Sequence, residues 1–328
     1  MIKAQSSPNI ALIKYWGNRN NELRLPAADS LSMVLDTPTV EVIAEHADIF
    51  SIRSFDAEGN EKTQKPEAIE RLKKHWQLTR QYLSSIGRNN LPEHVSLTIH
   101  SHIPQAIGIA SSAAVFSCLA EAYAGFVGNL SREDVAILGR LGSGSGARNS
   151  FGGYVALENS GDGFAGTVSR QIANETHWML HDIIVVPSQE EKKVGSTEGH
   201  AMAHTSPIFE ARVCDIPRRM KECEDALRTK DFEKLQRISE EDALDMHRVM
   251  ETQTPSLQYL SAETHRIVHE IEALRKSEKL NVLYTMDAGP TVHLICTEDS
   301  RNTIEDYASS QKGCVVFRAK TGSGSRLL

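Results

Sequence analysis

Cysteine is scarce. The five present, Cys118, Cys214, Cys223, Cys296 and Cys314, are odd in number, widely spaced and never arranged as Cys-x-x-Cys, which argues against a disulfide framework or a zinc site. A basic excess is also missing. Lys and Arg total 36 against 43 Asp and Glu, for a formal charge of -7 and a sequence pI near 6.0, so nucleic acid is not the expected partner, although a local basic pocket for a small anion is compatible with that balance. No hydrophobic run reaches membrane-spanning length, mean hydropathy is -0.34, and the opening MIKAQSSPNIALIKYWG has no apolar core of signal length. The expectation is a soluble cytoplasmic protein with no membrane partner. Internal repeats and long low-complexity linkers are absent as well. Among the thirteen histidines, His100 and His102 share a face of the alternating stretch VSLTIHSHI without an acidic or cysteine ligand beside them, which fits a strand surface better than a metal site. Finally, PQAIGIASSAA (104–114) begins like a nucleotide site but lacks the Gly-Lys-Ser/Thr ending of the commonest phosphate loop.

What is present suggests two domains in 328 residues. DSLSMVLD, TVEVIAEH and FSIRSFD read as strands. A helix over KPEAIERLKKHWQLTRQYLSSIG stops at Gly87, and a strand follows in HVSLTIHSHI. AVFSCLAEAYAGFV is apolar almost all round, the mark of a buried helix. SREDVAILGRLGSG offers Ser131 as N-cap with Asp134 three residues on, where a capping box prefers Glu or Gln. FGGYVALENS and HDIIVVPS read as strands. Two long helices are expected through IPRRM…METQTP, broken near 229–232 and stopped by Pro255, then a third in SAETHRIVHEIEALRKSEK. The strand NVLYTMD, the turn AGP and the strand TVHLICTE follow. The polar stretch SQEEKKVGSTEGH places a boundary near residue 190.

Four stretches carry chemistry. Small residues ahead of a buried helix let a phosphate chain approach unpaired backbone N–H groups at the positive end of the helix dipole. In GIASSAAVFSCLAEA the hydroxyls of Ser111 and Ser112 add donors, and one can reach a magnesium ion; a tightly packed helix start is the plain alternative. GRLGSGSGARNSFGGYVAL reads as a flexible, donor-rich loop ending in Arg148, whose fork suits a carboxylate or phosphate. Lys14 sits in the apolar and aromatic SPNIALIKYWG, where a lysine either snorkels outward or points into a pocket. Asp287 lies between an apolar strand and the Ala-Gly-Pro turn, a position that either exposes a carboxylate in a cleft or caps the turn.

Taken in order, PNIALIKYWG, GIASSAA, GSGSGARNSFGG, GSTEG with TSPIFEAR, and MDAGPTVHL resemble the GHMP small-molecule kinase superfamily, and within it the mevalonate diphosphate decarboxylase branch, over nearly the whole chain. The resemblance implies an α+β fold of two lobes with the active site in the cleft between them: a GHMP kinase-like domain over 1–190 bearing the phosphate loop, and a second over 191–328. It implies ATP with Mg2+ as cofactor. The phosphates would be held by Gly108, Ile109, Ala110, Ser111, Ser112 and Ala113, with the metal on Ser112. In that family ATP phosphorylates a tertiary 3-hydroxyl, phosphate then leaves, and the carboxylate is lost as CO2. Asp287 would orient or deprotonate the hydroxyl, Lys14 would steady charge beside it, Arg148 would clamp the carboxylate, and Asn9 would hydrogen-bond nearby. Substrate contacts are expected from Tyr15, Trp16, Gly17, Asn18, Ser143, Gly144, Ser145, Gly146, Ala147, Thr197 and Arg212. Lys65 and Arg71 match the family too loosely to be assigned.

One departure bears on the substrate. The family reads YWGK, and its lysine helps neutralise the terminal phosphates, whereas this chain reads YWGN with Asn18. A neutral amide suits less charge, which puts mevalonate 5-phosphate, decarboxylated to isopentenyl phosphate, ahead of the alternative, mevalonate 5-diphosphate decarboxylated to isopentenyl diphosphate; Arg19, Arg24 and Arg212 are the residues able to stand in for the missing lysine from another direction. A GHMP kinase without decarboxylation, or a binding module that keeps the fold without turnover, stand behind both. The resemblance further implies a homodimer.

Overall fold

The computed structural model describes residues 1–103, 111–187 and 195–328. Its strands and helices follow in chain order as β1 (Ile2–Ser6), β2 (Asn9–Ile13), β3 (Asn18–Asn20), β4 (Leu25–Pro26), β5 (Ser30–Val34), β6 (Val40–Ala47), β7 (Ser51–Phe55), α1 (Pro66–Ser85), β8 (His94–Ser101), α2 (Ser111–Val127), α3 (Arg132–Gly142), β9 (Tyr154–Asn159), β10 (Thr167–Ala173), β11 (His181–Val186), α4 (Ser196–Met202), α5 (Phe209–Thr229), α6 (Phe232–Thr252), α7 (Ala262–Glu278), β12 (Val282–Thr285), β13 (Val292–Cys296), α8 (Glu298–Ser309), β14 (Val315–Lys320) and β15 (Arg326–Leu327).

These elements make three sheets and one small hairpin: β15-β1-β6-β8-β7, β10-β9-β5-β2, β12-β13-β11-β14, and β3-β4. Only β7 and β8 run parallel among the paired strands described. Helix α2, with Ala113, Ala114, Phe116, Cys118, Leu119, Ala122 and Tyr123 all buried, packs against β1, β6 and α3, so its apolar girth is used on every side. Helix α3 begins with the Ser131 cap: its hydroxyl accepts from the Asp134 N–H at 3.0 Å, and Asp134 accepts from the Ser131 N–H at 3.0 Å. Asp closes the capping box here despite being one methylene shorter than Glu. Helices α5 and α6 pack on each other and reach back to β2, while α6 also covers β12; with both strands on α6, Lys14 after β2 meets Asp287 after β12. Strand β15 returns from the far end of the chain to pair with β1.

Two local expectations change. The stretch after α3, read as a flexible loop, is a 3-10 helix over Gly144–Ser150 with six of its seven residues buried. Close approach requires its glycines: a Cβ on Gly139 would meet the Gly146 carbonyl oxygen at 2.8 Å, and a Cβ on Gly146 would meet that of Gly139 at 2.9 Å. His100 stacks on Phe55 at 4.8 Å between ring centroids, whereas His102 lies past the end of β8 and is exposed. No helix among the described residues is long and apolar enough to cross a membrane. The expected boundary near residue 190 lies outside the described residues.

Candidate active site

Strand β2 is buried at every position and delivers Lys14 into the interior, where its side chain is 2% exposed. An ammonium there needs acceptors. The Lys14 Nζ donates to Asp287 Oδ1 at 2.7 Å and to the Ala11 carbonyl at 2.9 Å. Asp287 stands just past β12, in a tight turn closed by the Gly289 N–H on its carbonyl at 2.7 Å. Its side chain keeps 27% of its surface, so the carboxylate faces an opening while the ammonium backs it.

Behind this pair runs a charged layer. The Lys14 backbone N–H donates to Asp242 Oδ2 at 2.7 Å, and the Lys14 carbonyl accepts from Arg212 Nη2 at 3.0 Å. Arg212 also pairs with Asp242 and Asp245, as does Arg219.

Across the opening, the 3-10 helix presents Arg148, 2% exposed. Its Nε donates to Ser32 Oγ at 2.5 Å, its Nη1 to Ser30 Oγ at 2.7 Å and its Nη2 to Asn9 Oδ1 at 3.4 Å. A guanidinium has five N–H groups, so one remains on each terminal nitrogen, the pair that grips a carboxylate end-on. No acid neutralises it among the described residues, and burial pulls its pKa down to about 10, which still leaves it a cation at neutral pH. Asn9 is fixed in turn, its Nδ2 donating to the Ser145 carbonyl at 3.0 Å and to Asn149 Oδ1.

These groups line a cleft of about 800 Å³. Of the residues expected from sequence, Asn9, Lys14, Tyr15, Trp16, Ser112, Ser143, Gly144, Ser145, Arg148 and Asp287 share its wall. The hydroxyls of Ser112 and Ser143 lie 3.1 Å apart, and those of Ser143 and Ser145 3.2 Å apart, forming a polar rim. A second cavity of about 1220 Å³ lies beside the first, takes in Ser111 and meets the cleft at Ser112 and Arg71.

Other expected residues stand elsewhere. Gly17 turns the chain at φ +99°, Gly146 and Ala147 are consumed by helix packing, and Ala113 is core; none lines the cleft. Asn18 is also off the wall, its amide donating to Asn21 Oδ1 at 3.1 Å. Arg212 belongs to the ion-paired layer behind Lys14 rather than to the cleft, because Asp242 and Asp245 already saturate its fork. Gly108, Ile109 and Ala110 lie outside the described residues, as does the side chain of Thr197.

Six wall residues, Ala11, Arg24, Arg71, His200, Met246 and Ala288, were not assigned to the site from sequence, and three of them are polar. Arg71 reaches in from α1, donates to the Gly142 carbonyl at 2.8 Å and lies 4.5 Å over the Phe116 ring; burial and the neighbouring Arg24 pull its pKa to about 10. Arg24 comes from the β3-β4 turn. His200 of α4 stacks on Tyr15 at 4.5 Å and accepts the Gly17 N–H on Nδ1 at 3.0 Å. Burial, with Arg24 adding to it, drops the His200 pKa to about 3 and keeps the ring neutral. GSTEGH carries no signal for that role, since the contact exists only once α4 lies against Tyr15 and Trp16.

Residues 6–169 match the family described as the diphosphomevalonate decarboxylase-like N-terminal domain, and residues 182–312 the mevalonate 5-diphosphate decarboxylase C-terminal domain. The chain is 34% identical over 307 residues to the diphosphomevalonate decarboxylase of Homo sapiens, covering 89% of this chain and 76% of the relative. Its fold superposes on mevalonate diphosphate decarboxylase from Staphylococcus aureus with a TM-score of 0.88 at 26% identity, spanning 100% of this chain and 97% of that one. It superposes equally on MDDEF in complex with MVAPP, AMPPCP and magnesium, with a TM-score of 0.87 at 27% identity over 99% and 98% of the two chains. These names back the diphosphate alternative over the monophosphate reading drawn from Asn18; Asn18 is not on the cleft wall, while Arg24 and Arg71 are. The α+β fold, the cleft and the order of motifs agree with these relatives, and the chain belongs to the diphosphomevalonate decarboxylase family.

Proposed function

We propose that this enzyme decarboxylates mevalonate 5-diphosphate to isopentenyl diphosphate at the expense of ATP. The observation that carries the reading is the charge of the cleft. Among the described residues, Lys14, Arg24, Arg71 and Arg148 face it against the one carboxylate of Asp287, an imbalance that a multiply anionic substrate offsets. A monophosphate would leave more of that charge unanswered.

Magnesium fits the donors present. It keeps most of its waters and takes one or two protein oxygens beside nucleotide phosphates, and the hydroxyl rim at Ser112, where the two cavities meet, offers such an oxygen without a carboxylate cage. When bound, ATP with its metal supplies the phosphoryl group for the 3-hydroxyl and screens its charge. The chain's own residues do the rest. Asp287 accepts the hydrogen bond of the 3-hydroxyl and takes its proton as the oxygen attacks; Lys14 holds Asp287 in place and balances its charge. Arg148, braced by Ser30, Ser32 and Asn9, grips the carboxylate end-on until the 3-phosphate leaves with its C–O electrons and the C–C bond breaks to release CO2 and an alkene. The cavity lined by Lys65, Phe55 and Val115 is proposed for the nucleotide base. A homodimer in the cytoplasm, with lobes divided near residue 190, completes the proposal.

The test supplies ATP, magnesium and either phosphorylated mevalonate to the purified protein. Stoichiometric CO2 and phosphate with a higher kcat/KM for the diphosphate is the expected outcome. A stable phosphorylated alcohol would overturn decarboxylation, and a higher kcat/KM for the 5-phosphate would overturn the choice of substrate.

A further inference from the structure

Arg19 and Arg24 follow YWGN in the chain and Arg212 reaches the Lys14 carbonyl just before it, and their partners separate them. Arg19 is spent on Asp162 at 2.6 Å, on Asn159 Oδ1 at 3.1 Å and on the Gly161 and Gly166 carbonyls. Arg212 is spent on Asp242 and Asp245. Arg24 has no hydrogen bond or ion pair to any described residue, yet it is half-buried and lines the cleft. Its charge is felt by Tyr15, Arg71 and His200, so it stands among the groups that form the cleft's cationic end. A desolvated guanidinium without a counter-charge is costly to keep.

Its backbone adds a second cost. Arg24 sits at φ +51°, a left-handed conformation that L-residues rarely adopt and that Gly, Asn or Asp fill more readily. The β3-β4 turn brings the side chain back toward the cleft in this conformation, with Leu25 anchored beside it at 1% exposure. Local strain kept together with an unpaired buried charge points to a bound anion as the compensating partner. Position 18, on the strand that opens the same hairpin, holds an uncharged amide turned to Asn21.

We infer that Arg24 is the specificity-determining residue of this site, its guanidinium binding the substrate's terminal phosphate where position 18 offers no cation. The inference rests on the decarboxylase reading above. It assigns the terminal phosphate to a planar fork arriving from the β3-β4 turn rather than to an ammonium from position 18. Arg24 touches neither the 3-hydroxyl nor the carboxylate in this scheme, so its loss acts on binding.

The experiment compares wild type, Arg24→Gly and Arg19→Gln as intact enzymes. Gly accepts φ +51° without strain, so Arg24→Gly should keep or raise Tm while raising KM for mevalonate 5-diphosphate about ten- to a hundredfold, with kcat little changed. Arg19→Gln should change neither constant. Unchanged KM in Arg24→Gly, or a loss shared equally by unphosphorylated mevalonate, overturns the inference. Binding of inorganic pyrophosphate by calorimetry decides Arg24 even if the wild type releases no CO2 and the decarboxylase reading falls: weaker binding in Arg24→Gly supports the assignment, and equal binding overturns it.

Discussion

Lys14 lies between two groups of buried charge that obey different rules. Behind it, Arg212 and Arg219 meet Asp242 and Asp245 in a layer where each cation has more than one acid, Arg219 pairing with Asp215 as well. In front of it, the cleft holds three arginines and Lys14 itself against Asp287. Arg148 is held by hydroxyls and an amide with one N–H left on each terminal nitrogen, Arg71 by a carbonyl and an aromatic face with its Nε unpartnered, and Arg24 by nothing among the described residues. Burying a charge costs several kcal/mol unless a partner restores what water supplied. The rear layer restores it internally, which makes it scaffold; the front cluster leaves the restoration to a ligand, which makes it a site. Arg212, expected from sequence on the substrate, shows that the same residue type serves either purpose according to the acids within reach.

Breaking the front cluster at its acid should have the largest effect. Asp287→Asn keeps the shape but removes the base and the partner of Lys14, and a fall in kcat of about 10²–10⁴-fold is expected with Tm and nucleotide affinity retained; near wild-type CO2 release would remove Asp287 from the chemistry. Breaking the rear layer should register as stability instead. Asp242 is fully buried between two arginines and the Lys14 N–H, so Asp242→Asn should cost about 3–5 kcal/mol in denaturant unfolding, and an unchanged midpoint would refute the scaffold assignment. Arg148→Lys probes the fork itself: an ammonium cannot hold Ser30, Ser32 and a carboxylate together, and kcat should drop about 10²-fold while the fold survives. A variant altered only in Tm would return Arg148 to the scaffold.

The smallest effect concerns the neutral rings that pack around the cations. Burial lowers the pKa of His75 and His247 to about 4 and that of His200 to about 3. Each ring is therefore uncharged when folded, and the unfolded chain binds its proton first, from about pH 6.5 downward. Their contribution is present above that pH and is lost as acid is added, on the order of 2 kcal/mol per ring by pH 5. Tm measured from pH 7.5 to 5 should fall, and His200→Asn, whose amide oxygen can still accept the Gly17 N–H, should flatten the fall. An identical pH slope in that variant would show that His200 does not contribute.

Much of the frame was legible in residues a few positions apart. The Ser131 cap, the Gly-limited end of α1, the apolar girth of α2 and the β12-turn-β13 unit each depend on contacts within one or two turns, and periodicity and capping chemistry act over that range. The motif order likewise pointed to Lys14, Arg148 and Asp287, which share one cleft wall although the Lys14–Asp287 bond joins residues 273 apart. Short-range patterns did not reveal how charge is partnered. Arg19 and Arg24 are five residues apart in one polar stretch, yet Asp162 claims the first and the cleft receives the second. The Gly-Ser run at 143–146 reads as a loop until Gly139 of α3 approaches it and leaves room only for a compact 3-10 turn. Local propensity fixes which elements form, whereas an ionised side chain acts through whichever groups lie within a few ångströms in space, and that neighbourhood is assembled by the packing of α5 and α6 on β2 and β12.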